Sequence, residues 1–267
     1  MKLAVSNIAW PAEVDTAAYA LLKQHGIDGL EVAPTRVWGS WDVHPQQVED
    51  FRAQLAEAGL VCSSLQAILY GKPELTIFDG DTRELYKHIK HVARIASALG
   101  AVPLVFGSPK NRKKGDRSLE QAREEAAPIF QKMAAICLDQ GVILGVEANP
   151  TDYQCDFLTN AKDAAEFVEQ VNHPGLRLHL DAAAMHLAGD DATIILPDYG
   201  HLLVHAHASE PFLGDLTEPQ VNHAQFAKGL REHNWQQWIS LEMRASETPL
   251  ETLEASLQTF TRHYGAA

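Results

Sequence analysis

The run GVILGVEANP, Gly141–Pro150, is a short apolar segment bounded by Gly and Pro that carries one carboxylate, Glu147, toward its far end. A parallel strand is covered on both faces, so its side chains are near-continuously apolar, and this run fits that pattern. An acid at the C-terminal tip of such a strand needs a reason. Parallel α/β sheets gather their chemistry at those tips, so Glu147 reads as a functional carboxylate; the plainer alternative is an acid neutralised by a structural Arg or Lys.

Outward from this run the chain alternates. Strands are predicted at Lys2–Asn7, Ile27–Ala33, within Leu60–Leu69, and at Val102–Phe106, Val142–Ala148, Leu176–Leu180, His201–His207 and Trp238–Glu242. Helices are predicted between them at 16–25, 45–58, 82–99, 119–140, 160–171, 190–196 and 220–233, with 249–264 closing the chain. Gly26, Gly59, Gly100 and Gly141 act as stops. This count and order predicts an α/β fold, a single (β/α)8 TIM barrel with residues 1–267 as one domain. A doubly wound open sheet is the alternative, but it more often carries a Gly-rich phosphate turn after its first strand, where this chain has Ser6, Asn7 and Ile8.

Composition narrows the function. At 46% hydrophobic content the chain can bury one sizeable core, and roughly 250 residues is typical of one barrel. A formal charge of -13 argues against nucleic acid or an anionic membrane as partner. The cysteines, Cys62, Cys137 and Cys155, form no CxxC spacing and indicate neither a disulfide framework nor a thiolate zinc site. The opening MKLAVSNIAW lacks an unbroken apolar stretch, and no run is long enough to span a bilayer. A soluble cytoplasmic protein is expected.

Four predicted strand ends carry polar groups: Glu147 on the fifth, Asp181 on the sixth, His207 on the seventh and Glu242 on the eighth. In a barrel these neighbouring tips converge on one rim. Left unpaired, three buried acids would repel and shift their pKa values upward. One divalent metal ion removes that cost; this donor set suits Mn²⁺, placed first, and also Mg²⁺, Co²⁺ or Zn²⁺. Individually each acid has an ordinary structural reading, and a lone strand histidine is more often a core residue than a ligand.

The pieces GLEVAP (29–34), GVEANP (145–150), LHLDAAAMH (178–186), HAHASE (205–210) and SLEMR (240–244) resemble the xylose-isomerase-like TIM-barrel superfamily, in particular its sugar phosphate isomerase/epimerase branch. The resemblance covers essentially the whole chain. It implies a metal held by Glu147, Asp181, His207 and Glu242, with Glu147 and Glu242 also serving as acid and base on opposite faces of a bound sugar. The chemistry is sensible in its own right: a cation that chelates a carbonyl and its neighbouring hydroxyl stabilises the developing enediolate charge. Return of the proton to the opposite face then gives epimerisation, and to the adjacent carbon aldose–ketose isomerisation. The ketose 3-epimerase members carry a His, an Arg and a Glu where this chain has Ala184, Leu213 and Tyr153. The missing His counts equally against the apurinic endonuclease branch. A metal-dependent dehydratase of a keto-polyol such as an inosose, and a noncatalytic carbohydrate-binding barrel, are the alternatives.

Substrate contacts are expected from the rim loops. Lys110, Arg112, Lys113, Lys114 and Arg117 crowd the loop after the fourth strand, and Lys110 with Arg112 reads as an anion clamp for a phosphate or carboxylate; a solvated charged loop is the plain alternative. Arg244 is a second anion candidate. Glu31 and Gln66, at the second and third strand tips, are candidates for sugar hydroxyls, as are Asn7 and Asn149. Trp38, Trp41 and His44 offer a wall or lid, or cover the barrel top or a contact in a homo-oligomer. His179 and His205, by period-two alternation, lie a layer below Asp181 and His207.

Overall fold

The computed structural model describes residues 1–265. Its strands are β1 (Lys2–Ser6), β2 (Gly29–Val32), β3 (Val61–Leu65), β4 (Pro103–Phe106), β5 (Ile143–Glu147), β6 (Leu176–Asp181), β7 (Leu203–Ser209) and β8 (Trp238–Glu242). They form one closed parallel barrel in chain order, with β8 pairing back onto β1. The predicted TIM barrel is therefore the observed fold. No helix among the described residues is long and apolar enough to cross a membrane.

An outer ring of helices covers the strands, and local sequence explains their limits. Thr82–Leu99 buries Leu85, Ile89, Val92, Ala96 and Leu99 along one helical stripe. The Asp81 side chain caps its start by accepting from the Arg83 amide at 2.9 Å. Gly100, at φ 80°, ends it in the left-handed conformation that a residue without Cβ adopts freely. Ser118 and Gln121 form a reciprocal capping box at the start of Leu119–Leu138.

Four elements differ from expectation. Pro34–Trp38 is a short helix that places Trp38 outside any loop; Pro34 sits at its start, where a missing N–H costs nothing. Ala182–Ala188 is a helix immediately after β6, capped by Asp181, and the next helix runs over Ala192–Tyr199. β7 starts later than predicted because Gly200–Leu202 coil into a 3-10 turn, and it continues past His207 to Ser209. In that register Asp181 pairs with His207, and Ser209 with Glu242.

Below the rim the barrel is tight. Gly29 opens β2 against β1 and β8, and a Cβ there would lie 2.7 Å from the Ala4 Cβ and 2.7 Å from the Trp238 ring. Paired strands cannot part to admit it. Gly29→Ala is expected to lower stability by about 1–3 kcal/mol, as overpacking does, seen as a lower denaturant midpoint at unchanged slope. An unchanged midpoint would contradict the close approach.

Candidate functional site

The polar side chains of the strands meet inside the upper half of the barrel. Glu31 is fully buried within β2, where its Oε2 accepts from Ser64 Oγ at 2.7 Å and lies 2.9 Å from His205 Nε2 and 3.0 Å from His207 Nε2. An ionised carboxylate only accepts, so both imidazoles direct N–H toward it. His205 Nε2 also lies 3.2 Å from Ser64 Oγ and 3.1 Å from Ser240 Oγ. Burial alone would push the Glu31 carboxyl up, but the His207 and His205 imidazoles reverse this and hold it well below its ordinary range.

Fixing Nε2 of His207 on Glu31 leaves the other ring nitrogen facing the rim. Nδ1 has no hydrogen-bond partner and lies 3.3 Å from Glu242 Oε2 and 3.6 Å from Asp181 Oδ2. Burial pulls the imidazole down, yet the charges of Glu31 and Glu242 outweigh it and hold His207 well above the usual histidine range. Asp181 is positioned by its own helix cap: Oδ1 accepts from the Ala184 amide at 2.7 Å and Oδ2 from Ser209 Oγ at 2.6 Å. The Asp181, His207 and Glu242 donor atoms lie within 4.8 Å of one another.

Glu147, the remaining member of the expected quartet, falls into a separate 4.8 Å group with His179 and His207. Burial, and then the Asp181 charge, push its carboxyl up to about 8. Gly107 makes room for it: a Cβ there would lie 2.1 Å from Glu147 Oε2 and 3.5 Å from Asn149 Nδ2. His179 is fully buried with neither ring nitrogen partnered, its centroid 4.2 Å from that of His207, and burial keeps it neutral. A proton on His207 and on Glu147 is one way to relieve the crowded carboxylates. The open Nδ1, with oxygen donors around it and a carboxylate orienting the opposite ring nitrogen, equally fits a divalent cation.

A cavity of about 480 Å³ opens over these groups, lined by Glu147, Asp181 and Glu242 together with Asn149, Tyr153 and Arg244. Phe212 and Leu213 also face it, both in the left-handed backbone region at φ 58° and 59°. Tyr153 accepts from the Phe212 amide at 3.2 Å, and the two rings meet edge to face at 5.5 Å. Tyr153 and Leu213, where the chain departs from the ketose 3-epimerase pattern, thus both wall the cavity. Sequence gave no sign of Phe212, Gly107 or Ser209, because their roles depend on loop path and strand register. Glu210, also on this wall, binds the amides of Gln220 and Val221 and lies 2.8 Å from His223 Nε2; His223 Nδ1 lies 2.6 Å from the Tyr264 hydroxyl.

Several expected contacts sit elsewhere. Glu31 is in the barrel interior, not at a strand tip, and orients His207. Gln66 donates to Ser6 Oγ at 2.6 Å, and Asn7 accepts from the Ala33 amide at 2.9 Å, so both tie strand ends together. His44 is exposed and caps Pro45–Glu57, with Gln47 Oε1 accepting from its amide at 2.9 Å. Lys110 and Arg112, the expected anion clamp, do not line one cavity. The turn Pro109–Arg112 sends Arg112 inward, fully buried and with all three nitrogens unpartnered, its charge bearing on Glu147. Lys110 is exposed on a neighbouring groove. Arg117 pairs with Asp79 and Glu125, and the Lys114 ammonium donates to backbone carbonyls. Trp41 packs on His88 and Trp38 on Phe51, so these rings cover the barrel.

Comparison with known proteins agrees with this architecture. An L-ribulose 3-epimerase of Methylomonas sp. (strain DH-1) is 24% identical over 243 residues, covering 89% of this chain and 81% of the relative. The crystal structure of a D-psicose 3-epimerase in the presence of D-fructose superposes with a TM-score of 0.82 at 14% identity, covering 100% of both chains. A structure of the IOLI protein with a bound zinc atom gives 0.78 at 16% identity, covering 99% of this chain and 98% of that one. A model described as xylose isomerase-like TIM barrel matches residues 19–263, and the chain belongs to that family.

Proposed function

We propose that this chain is a metal-dependent isomerase or epimerase of a sugar or sugar derivative. The observation that carries the reading is the His207 imidazole, fixed on Glu31 through Nε2 and presenting an unpartnered Nδ1 among rim carboxylates. Asp181, His207, Glu242 and Glu147 would hold the cation, Mn²⁺ first among the candidates. When bound, it supplies positive charge for a substrate oxygen that becomes negative as a neighbouring C–H ionises. The sugar relatives and the zinc-containing neighbour support the same assignment. Three buried, unpaired cysteines support a reducing compartment, the cytoplasm.

The chain's own residues supply the proton chemistry. Glu147 and Glu242 both line the cavity, and burial raises both carboxyls toward the pH at which each can take and return a proton. One accepts a proton from carbon while the other delivers one. Delivery to the opposite face inverts the centre; delivery to the adjacent carbon moves the carbonyl. Asn149 and Arg244 offer N–H donors to substrate oxygens from the cavity wall, and the Tyr153–Phe212 pair presents aromatic surface and limits water. Because Ala184, Leu213 and Tyr153 replace the polar trio of ketose 3-epimerases, the substrate is gripped differently from a free ketose in those enzymes.

Glu147→Gln and Glu242→Gln should each abolish substrate-dependent deuterium uptake from D₂O in metal-loaded protein, with Glu242→Gln keeping some ligand binding. Wild-type rates in either variant would contradict the base roles, and net loss of water from the product would indicate a dehydratase instead. Gly107→Ala should lower kcat about a hundredfold or more with little change in folding, since it displaces the Glu147 carboxylate on the scale where small misplacements cost that much.

Metal loading should also appear in stability. In chelated protein, folded Glu147 keeps its proton up to about pH 8 while the unfolded chain gives it up near the ordinary value of 4.5. The folded state then binds more protons than the unfolded, so stability falls as pH rises. Neutral His179 and His205 contribute the opposite slope only below about pH 6.5, so above about pH 7 the slope belongs to the raised groups, Glu147, Glu242 and His207. Thermal melts across that range should show a falling Tm for chelated protein. Saturating Mn²⁺ should flatten the slope and raise Tm by about 5–10 °C at a hundredfold excess over Kd. Asp181→Asn should remove the Mn²⁺ effect; a full shift in that variant would place the ion elsewhere.

A further inference from the structure

A second groove adjoins the acid-lined cavity. Its volume is about 420 Å³, within the range of small-molecule sites, and Pro109 lines both spaces. The groove lies between the loop after β3 and the turn after β4, and Tyr70, Lys72, Pro73, Ser108 and Lys110 face it. None of these is used by the proton chemistry.

The walls are built to hold their shape. Asn111 Nδ2 donates to the Lys72 carbonyl at 2.8 Å and the Leu75 carbonyl at 2.9 Å, while the Asn111 carbonyl accepts from the Ile77 amide at 2.8 Å. These bonds lock one loop to the other. Tyr70 is fixed through its backbone, whose carbonyl accepts from Trp41 Nε1 at 2.9 Å, yet its side chain is left in solvent at 69% exposure. A large aromatic ring held out on a pinned backbone beside a pocket is a ready stacking surface. Ala67 and Ser108, one on each wall, adopt left-handed conformations at φ 53° and 47°, strain that tends to persist at ligand sites. Lys110 is exposed, and Lys72 has only a 3.7 Å approach to Glu74. Both ammonium groups are available as donors.

We propose that this groove is a subsite for a second ring carried by the substrate: one sugar sits over the acids, and a sugar unit linked to its non-reacting end stacks on Tyr70, with Lys72 and Lys110 donating to its oxygens. The substrate class is then a two-ring glycoside. This rests on the sugar isomerase or epimerase reading for the first ring, and the shared Pro109 places the linkage.

The test uses the full chain loaded with Mn²⁺ and a panel of ketohexoses, each alone and bearing a glucosyl unit on its terminal hydroxyl. Calorimetric binding and deuterium exchange are measured separately. The two-ring member of at least one pair should bind about tenfold tighter, the scale of one stacking contact with its hydrogen bonds. Tyr70→Ala should bring that ratio close to one, and Lys72→Ala with Lys110→Ala should reduce it severalfold. Equal affinity within every pair, or a preference that survives Tyr70→Ala, overturns the subsite. Exchange of one-ring sugars without a two-ring preference would leave the catalytic reading standing and the subsite refuted. A Tyr70-dependent preference without any exchange would do the reverse.

Discussion

The clasp of Glu31 by His205 and His207 inside the barrel is the interaction on which the upper half of the molecule depends. A buried carboxylate is costly unless its charge is met by partners. Here His205 and His207 of β7 and Ser64 of β3 meet the charge of the β2 carboxylate at Oε2, while Oε1 is buried with no hydrogen-bond partner. Each partner also fixes the other. The carboxylate holds the Nε2–H of His207, and that contact aims the remaining nitrogen at Asp181 and Glu242. Interior layers of such barrels are ordinarily filled by branched apolar residues. In this one, part of that volume is occupied by a hydrogen-bonded scaffold beneath the acid-lined cavity.

The closed topology was legible because its evidence is repetitive: apolar runs of strand length, helical stripes and glycine stops recur in a fixed order, and local errors do not disturb the count. The convergence of Glu147, Asp181, His207 and Glu242 on one mouth followed from that topology alone. Which donors group most closely did not, because β7 runs two residues further than its apolar pattern suggests and the pairing of Asp181 with His207 is a matter of register. Side-chain direction was least accessible. Arg112 is a charged residue in a charged loop, and only the 3-10 turn at Pro109 makes it an interior group. Glu31 illustrates the same limit, since its depth inside the barrel follows from strand register.

The positions where this chain differs from ketose 3-epimerases also acquire a physical meaning. Tyr153 and Leu213 exchange polar contacts for an aromatic and aliphatic wall, and Tyr153 is joined to Phe212 by both a hydrogen bond and ring packing. The loops after β5 and β7 are thereby linked over one side of the cavity. The neighbouring side, toward β3 and β4, holds the groove with the exposed Tyr70 ring. Replacing polar side chains at one wall changes what the cavity accepts without altering the carboxylates beneath it.

The connection from Glu210 through His223 to Tyr264 makes the far end of the last helix part of the cavity's foundations. Glu210 holds the segment that turns into the wall, and its own support is anchored one residue before the chain's last described position. Shortening the protein by even a single helical turn there would strip a buried histidine of its phenol and loosen a wall that the trimmed residues never touch. A hydrogen-bonded path thus runs from the outer helix Pro249–Tyr264 to the cavity wall.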